Sequence, residues 1–316
     1  MNRENVERFF YWINERHAIY QRRTMGLPIP DNTLNQLWTK DPIFQEYKFT
    51  NPFRENDRVT LWMRNNWTKP NDNKSHAEIL FNCCLFRMVG TIEFAEEHGW
   101  VNFSAVLGWD PERTKDIIKN RIADGKRTFT GAYIITNQGL KLPKADVVVD
   151  HFLKPIREAS ESIAETAILS QSLQATHSRL SQHRGWGGGG FMSYEVVTDL
   201  NYTPVLKNAV DRFSWANAGP GAKRGLNRIW DRTLTKSMTQ QVANEGMQEL
   251  LQMVTKDYPC NGYLVGDHVP ADQIDMRTIE HSLCEWDKYE RVRLGQGKPR
   301  SKFKQSSEPL PQGVVQ

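Results

Sequence analysis

Over most of its length the chain repeats apolar residues at steps of three and four, the period of a helix that buries one face. Val6, Phe9, Phe10, Ile13, His17 and Tyr20 form the first such stripe, and Gly26, Pro28 and Pro30 end it. An irregular stretch containing Trp38, Asp41 and Pro42 follows. The pattern then predicts a helix over 75–98, with Ser75 as N-cap, Glu78 at the third helical position and Gly99 as stop. Asp110 and Pro111 open another that runs to about Asp124. Helical periodicity returns over 148–174, 191–200, 221–234, 239–256 and 275–291. The β-favouring string Phe129 to Ile135, between Gly125 and Gly139, stands apart and fits a short β-hairpin. The fold class is therefore mainly α, with room for one short β-hairpin.

At 316 residues the chain is long enough to bury one sizeable core or two closely packed lobes. The expected division is a single helical unit over 1–294 and a mobile tail over 295–316, rich in Lys, Pro, Ser and Gln with little to bury and basic at first. No apolar run approaches the roughly eighteen residues that would cross a bilayer, and Met1 to Glu15 lacks the order of a signal peptide, so a cytoplasmic protein without a membrane partner is expected. Cys83, Cys84, Cys260 and Cys284 are too irregularly spaced for a disulfide framework or a zinc site; reduced, buried thiols and no metal are expected. The net charge is only +4, so distribution matters more than total. Basic residues gather at Arg16, at Arg22 and Arg23, at Arg54 and Arg58, at Lys223, Arg224 and Arg228, and from Lys288 to Lys304. Such patches grip phosphates or simply form solvated helix faces.

The sequence contains no GxxxxGK[ST] phosphate loop, no HExxH, no GxSxG and no paired Cys/His cluster, and no cofactor is expected. What stands out is Arg184-Gly-Trp-Gly-Gly-Gly-Gly-Phe-Met-Ser-Tyr194, between two helical stretches. Glycines there allow positive φ and expose amide N–H groups at a helix N-terminus, which is an anion site. Gly187, Gly188, Gly189 and Gly190 are accordingly candidates to hold a DNA phosphate; a tight turn or linker explains glycines equally well. Gly187-x-Gly189, followed by Ser193 and then Val196 and Val197, resembles the hairpin of helix-hairpin-helix DNA glycosylases. Those enzymes carry a catalytic aspartate about twenty residues on, where this chain has Asp211. Gly185 and Trp186 replace the usual Leu-Pro, and two glycines are extra.

A wider resemblance rests on motifs in one order along the chain: Tyr11-Trp-Ile-Asn-Glu-Arg-His17 with Arg22-Arg23, Trp38-Thr-Lys-Asp-Pro42, Tyr47-Lys-Phe-Thr-Asn51, Phe53-Arg-Glu55 and Asp57-Arg-Val59. Further on come Phe129-Thr-Gly-Ala-Tyr133, the hairpin with Thr198-Asp-Leu200, Ala218-Gly-Pro-Gly-Ala-Lys-Arg-Gly225 and Leu283-Cys-Glu-Trp-Asp-Lys-Tyr289. Together they resemble the α-glutamyl/putrescinyl thymine pyrophosphorylases, the phage amino acid:DNA transferases of thymidine hypermodification. That family shares a helical domain with the 5-hydroxymethyluracil DNA kinases. The resemblance implies a helix-hairpin-helix, DNA-glycosylase-like helical fold and a transferase in a phage-infected bacterial cytoplasm. A kinase first pyrophosphorylates 5-hydroxymethyluracil in double-stranded DNA; the transferase then replaces pyrophosphate with the amine of an amino acid or polyamine. The absent phosphate loop agrees with a chain that acts after the kinase, and the resemblance implies that kinase as a partner.

That reaction needs cations for the leaving group, a base for the incoming amine and access to an atom otherwise stacked in the duplex. Arg54, Arg58, Lys223 and Arg224, with Arg22 and Arg23, are the candidates for pyrophosphate. Trp12, Trp38 and Tyr133 are the candidates to stack on a flipped-out base, with core packing as the alternative. Asp211 is the general-base candidate by position, and Glu285 and Asp287 are its rivals; Lys288 and Arg291 would otherwise make those two ordinary helix-face carboxylates. Cys284, beside Glu285, is a minor candidate for transient addition to the ring. Two other functions compete: a DNA glycosylase that excises a modified base with Asp211, and a non-catalytic DNA-binding module that serves a DNA kinase.

Overall fold

The computed structural model describes residues 1–25, 38–104, 108–256 and 274–303. Helix α1, Arg3–Met25, carries the first apolar stripe. Asp41 starts α2, Pro42–Glu46, by accepting from the amides of Ile43 and Phe44, while Pro42 takes a position where no amide partner is needed. Helix α3, Arg58–Trp62, passes into a π-helical turn at Met63–Thr68. Ser75 Oγ accepts from the Glu78 amide and caps α4, His76–Val89; α5 follows at Ile92–His98. Helix α6, Pro111–Ala123, begins as α2 does, with Asp110 accepting from the Arg113 amide. Helix α7, Lys144–Asp146, runs through a π turn at Val147–Leu153 into α8, Lys154–Ser170. Helices α9, Leu173–Leu180, and α10, Phe191–Leu200, flank the glycine hairpin. The last three are α11, Pro220–Ile229, α12, Gln240–Lys256, and α13, Met276–Arg293.

The chain divides into two compact units, one made of Met1–Asp57 with Arg212–Gln316 and the other of Arg58–Asp211. In the first unit α13 lies along α11 with almost nothing between them. A Cβ on Gly225 would sit 2.6 Å from the Leu283 carbonyl oxygen, and one on Gly221 would collide with Cys284. Phe9 of α1 meets the Trp286 ring edge-on at 5.7 Å. Asp41 fastens α2 in place: its Oδ2 accepts from the hydroxyls of Tyr11 at 3.0 Å and Tyr289 at 2.6 Å. One carboxylate thus caps α2 and joins it to α1 and α13.

The second unit is built around α4, which is buried on almost every side and packs on α8 and α10. At its end Arg87 grips Asp199 of α10 with Nε and, at 2.7 Å, with Nη2; Glu195, one turn earlier on α10, lies 3.9 Å from Nη1. All three side chains are buried.

Several expectations are corrected here. The helix expected over 75–98 is two helices, because the chain leaves α4 through Gly90 in the left-handed conformation (φ 75°). A side chain there would also lie 2.9 Å from Thr130 and from the Tyr133 hydroxyl. The string Phe129 to Ile135 forms no hairpin: its Thr130 amide donates to the Val89 carbonyl at 2.9 Å, and Tyr133 Oη donates to the Arg87 carbonyl at 2.6 Å. With its bonds spent on the end of α4, it has no neighbouring strand to pair with. Among the described residues the only β pairing is one antiparallel bridge, Tyr47 with Lys302. That bridge also changes the reading of the tail, since 301–303 bond to 46–48 through Lys48 N to Ser301 O and Phe303 N to Glu46 O. Residues 304–316, and Gly26, Pro28, Pro30 and Cys260, lie outside the described residues. The helix expected over 148–174 breaks at Gln171, which has φ 44°, and Ser172 caps a new helix there.

Candidate functional site

In the first unit, four of the sequence motifs meet: the turn 48–55 with Thr50, the face of α1 with Arg16 and Arg23, the start of α11 and the middle of α13. Glu285 is the centre of one half. It accepts from the Thr50 amide at 3.1 Å and from Lys288. Thr50 Oγ1 in turn bonds His281 Nε2 at 2.6 Å. Burial opposes charge on Glu285, but Lys288, His281 and the Thr50 amide outweigh it and hold its carboxyl below the ordinary range. Burial likewise opposes charge on Lys288, and Glu285 more than restores it. Arg16 donates Nε to the Phe49 carbonyl at 2.9 Å. Loss of hydration lowers its guanidinium to about 10, with Glu285 raising it and Arg23 lowering it further.

Asp287, fully buried, is the centre of the other half. Arg224 and Arg228 each donate Nε to it at 2.9 Å, and Arg291 Nε stands 3.6 Å away. Around these two carboxylates stand Arg16, Arg23, Lys288, Arg224, Arg228 and Arg291, more cations than the two carboxylates balance. Arg228 is buried, whereas Arg224, Lys288 and Arg291 keep about a third or more of their side chains exposed, where an anion can reach them. Cys284 is a poor nucleophile in this setting, since burial first and then Glu280 and Glu285 push its thiol up to about 12.

The other expected residues are placed as follows. Arg22 is spent on Glu15 at 2.9 Å and on the Trp38 carbonyl at 2.7 Å. Lys223 donates to the Met238 carbonyl at 3.0 Å. Arg54 is half-buried in the turn Arg54–Asn56. Trp12 is 0% exposed, enclosed with Phe44 and Phe49, and so offers no face to a base; it is a core residue. Trp38 is half-buried with φ 62°.

Arg58, Tyr133, the hairpin and Asp211 belong to the second unit. Arg58 is exposed at the start of α3, and the Tyr133 ring meets Phe191 edge-on at 5.3 Å. The hairpin is fixed from beneath: Trp186 is buried with Nε1 donating to the Phe152 carbonyl at 2.9 Å, and Ser181 Oγ donates to Ser193 Oγ, which donates to the Trp186 carbonyl. Gly185 and Gly187 are forced by contact, since a Cβ would lie 2.5 Å from the Phe152 ring and 2.6 Å from the Ser181 carbonyl oxygen respectively. Gly188 and Gly190 have φ of 68° and 71°. Asp211 binds the N-terminus of α9, accepting from Ser172 Oγ at 2.7 Å and from the Leu173 and Gln174 amides at 2.8 and 2.9 Å. Its carboxylate therefore already serves a helix terminus.

Thr50 and Asp199 enter the sequence reading only inside longer motifs, and neither they nor His281, Arg87 and Glu195 are among its candidate site residues. The signal for the Arg87–Asp199–Glu195 group was present: two carboxylates four residues apart in the otherwise uncharged run Phe191 to Leu200 call for a buried cation. Among the described residues, no group of three or more His, Cys, Asp or Glu could hold a metal ion, and no helix is long and apolar enough to cross a membrane.

The chain belongs to the family of the helical domain of 5-hmdU DNA kinases, whose model matches residues 3–298. A 5-hmdU DNA kinase of Bacillus phage SP10 is 25% identical over 301 residues, covering 88% of this chain and 44% of that protein. The chain thus spans less than half the length of this relative. No solved structure matches it.

Proposed function

We propose that the protein modifies thymine-derived bases in phage DNA, replacing the pyrophosphate of 5-(pyrophosphoryloxymethyl)uracil with an amine from an amino acid or polyamine. The observation that carries this reading is the surplus of cations around Glu285 and Asp287, at the meeting point of the shared motifs. In the reaction the amine nitrogen bonds to the methylene carbon on C5, the carbon–oxygen bond breaks, pyrophosphate departs and the nitrogen loses a proton. Arg16, Arg23, Lys288 and Arg224 stabilise charge on the departing oxygens, with Arg54 as a further candidate. Glu285 and Asp287 aim those cations; Glu285, held ionised with its pKa lowered, is suited to accept a hydrogen bond from the N–H of the neutral incoming amine, and the proton lost after the bond forms goes to solvent. The reaction calls for a base extruded from the stack; the Gly190 amide, a sequence candidate for a DNA phosphate, is spent on the Gly187 carbonyl at 3.2 Å.

The test is to incubate the protein with duplex DNA carrying the pyrophosphorylated base and a mixture of amines, then digest and weigh the nucleosides. A heavier nucleoside with released pyrophosphate and intact strands is expected; confirmed substrate with no mass change from any amine overturns the proposal. One observation favours a second reading. The family is a kinase's helical domain, and Asp211 is occupied in capping α9, so the chain would present DNA to a kinase without chemistry of its own. Under it, Glu285→Gln would leave DNA phosphorylation by that kinase unchanged.

A further inference from the structure

The second unit carries a surface that neither the buried cations nor the family accounts for. Residues 125–145 and 176–193 are joined there by Arg184 Nη2 donating to the Gln138 carbonyl at 2.7 Å, by the Gly185 amide donating to Gln138 Oε1 at 3.3 Å and by the Tyr133–Phe191 ring contact. Neither segment contains an Asp or Glu, while together they hold Lys126, Arg127, Lys141, Lys144, Arg179 and Arg184; of these Lys126 is paired with Asp124, just outside the first segment, at 2.8 Å. On this predominantly basic surface large apolar side chains are open to water: Ile134 is 85% exposed, Phe191 47% and Leu142 43%. An exposed isoleucine in a loose loop would mean little, but this loop is held. The Thr130 amide and Tyr133 hydroxyl bond to the last carbonyls of α4, Thr91 Oγ1 donates to the Thr128 carbonyl at 3.0 Å, and Arg121 Nη2 donates to the Arg127 carbonyl at 2.9 Å.

We propose that this surface is a duplex-DNA face on which Ile134 and Phe191 enter the base stack and fill the gap left by an extruded base. The physical case joins three observations. A rim in which Arg127, Lys141, Lys144, Arg179 and Arg184 outnumber the flanking Asp124 fits a backbone that is anionic on both strands better than a protein partner of mixed charge. Apolar side chains within such a rim are what kinks and unstacks a duplex, because they replace base stacking with apolar contact. Phe191 is also the first residue of α10, directly after the glycine turn, so inserting it brings the positive end of that helix beside the neighbouring phosphates. The inference rests on the reading that this chain acts on an extruded base in DNA, but it concerns how the duplex is opened and not what is done to the base.

The experiment uses the full chain and a duplex containing 5-hydroxymethyluracil next to 2-aminopurine, whose fluorescence rises when it loses a stacking neighbour. Binding is followed in parallel by the anisotropy of an end label. The wild-type protein is expected to raise 2-aminopurine emission several-fold at saturation. Ile134→Ala combined with Phe191→Ala should abolish most of that rise while weakening binding less than tenfold, and Ile134→Leu should retain it. Both side chains are substantially exposed, and an unchanged thermal melt certifies that the variant is folded. An equal rise with the double variant overturns the proposal, as does wild-type binding with no rise. Either result leaves the mass assay for the transferred amine standing, so the two readings fail separately. Binding to anionic phospholipid vesicles but not to duplex, lost in the same double variant, would assign the surface to a membrane and overturn the proposal too.

Discussion

Asp287 shows how far a single residue's surroundings decide its meaning. As part of Leu283-Cys-Glu-Trp-Asp-Lys-Tyr289 it reads as a helix-face carboxylate or a base, since Lys288 and Arg291 stand at salt-bridge spacing. In the structure it is fully buried, and its two hydrogen-bonded partners come from α11, with Arg291 of its own helix farther off at 3.6 Å. Arg228, with 7% of its side chain exposed, has Asp287 as its charge partner, whereas Arg224 is 39% exposed. Asp287→Ala therefore leaves a buried guanidinium uncompensated and should destabilise the protein by about 3–5 kcal/mol. Arg224→Ala removes a partly solvated partner and should lose about 1 kcal/mol or less. Urea unfolding of the two variants checks this; equal losses would refute the asymmetry. Glu285 carries a pH signature. Its carboxyl is held below the ordinary 4.5, so the stability it contributes is complete above that value and is lost as pH falls through the lower folded pKa. Glu285→Gln should flatten the decline in stability below about pH 4.5, measured as melting temperature against pH, and an unchanged acid limb would contradict the assignment.

At the scale of elements, what the sequence revealed depended on whether local chemistry had competition. Ser75 and Asp110 were legible as caps because their side chains bond amides three residues on, and nothing distant interferes. Asp41-Pro42 is the same device as Asp110-Pro111 but opens a helix too short to leave a periodic stripe, so α2 was read as irregular. Gly90 ended a helix inside an unbroken apolar pattern, for a reason located forty residues away in Thr130 and Tyr133. The string Phe129 to Ile135 failed in the opposite direction: its β-branched and aromatic residues favour a strand only where another strand exists to pair with. The hairpin lies between these cases. Its glycines were visible, but which of them the fold demands was not. Gly187→Ala must displace the Ser181 carbonyl and should lose about 1–3 kcal/mol, while Gly189, with no atom within 4 Å of an added Cβ and no positive φ, should accept alanine with little change. Thermal melts of the two variants separate a demanded glycine from a permitted one, and parallel losses would show that the turn responds as a whole.

The whole molecule adds a fact that no motif could supply: the shared motifs are divided between two bodies. The cations around Glu285 and Asp287 are assembled from the two ends of the chain, whereas the hairpin, Asp211 and the surface of Ile134 and Phe191 all lie within the continuous stretch Arg58–Asp211. This division was illegible because the apolar stripes of both units have the same period, and period does not say which stripes share a core. It has a direct consequence for independence. The second unit encloses its own core, with Ile79, Phe81, Leu85, Val148, Ile163, Val196 and Leu200 all at 0% exposure, and it pairs its buried Arg87 internally with Asp199. A continuous chain of about 150 residues with its charges compensated is of the size that folds alone. Residues 58–211 expressed separately should therefore melt in a single cooperative transition and still bind duplex DNA, with an affinity that falls steeply with salt. They should transfer no amine, because every cation around Glu285 and Asp287 is left behind. Circular dichroism, anisotropy across a salt series and the nucleoside mass assay test the three parts. A fragment that folds and binds but also transfers would move the chemistry to Asp211 and the hairpin, and would return the cations of the first unit to a purely structural role.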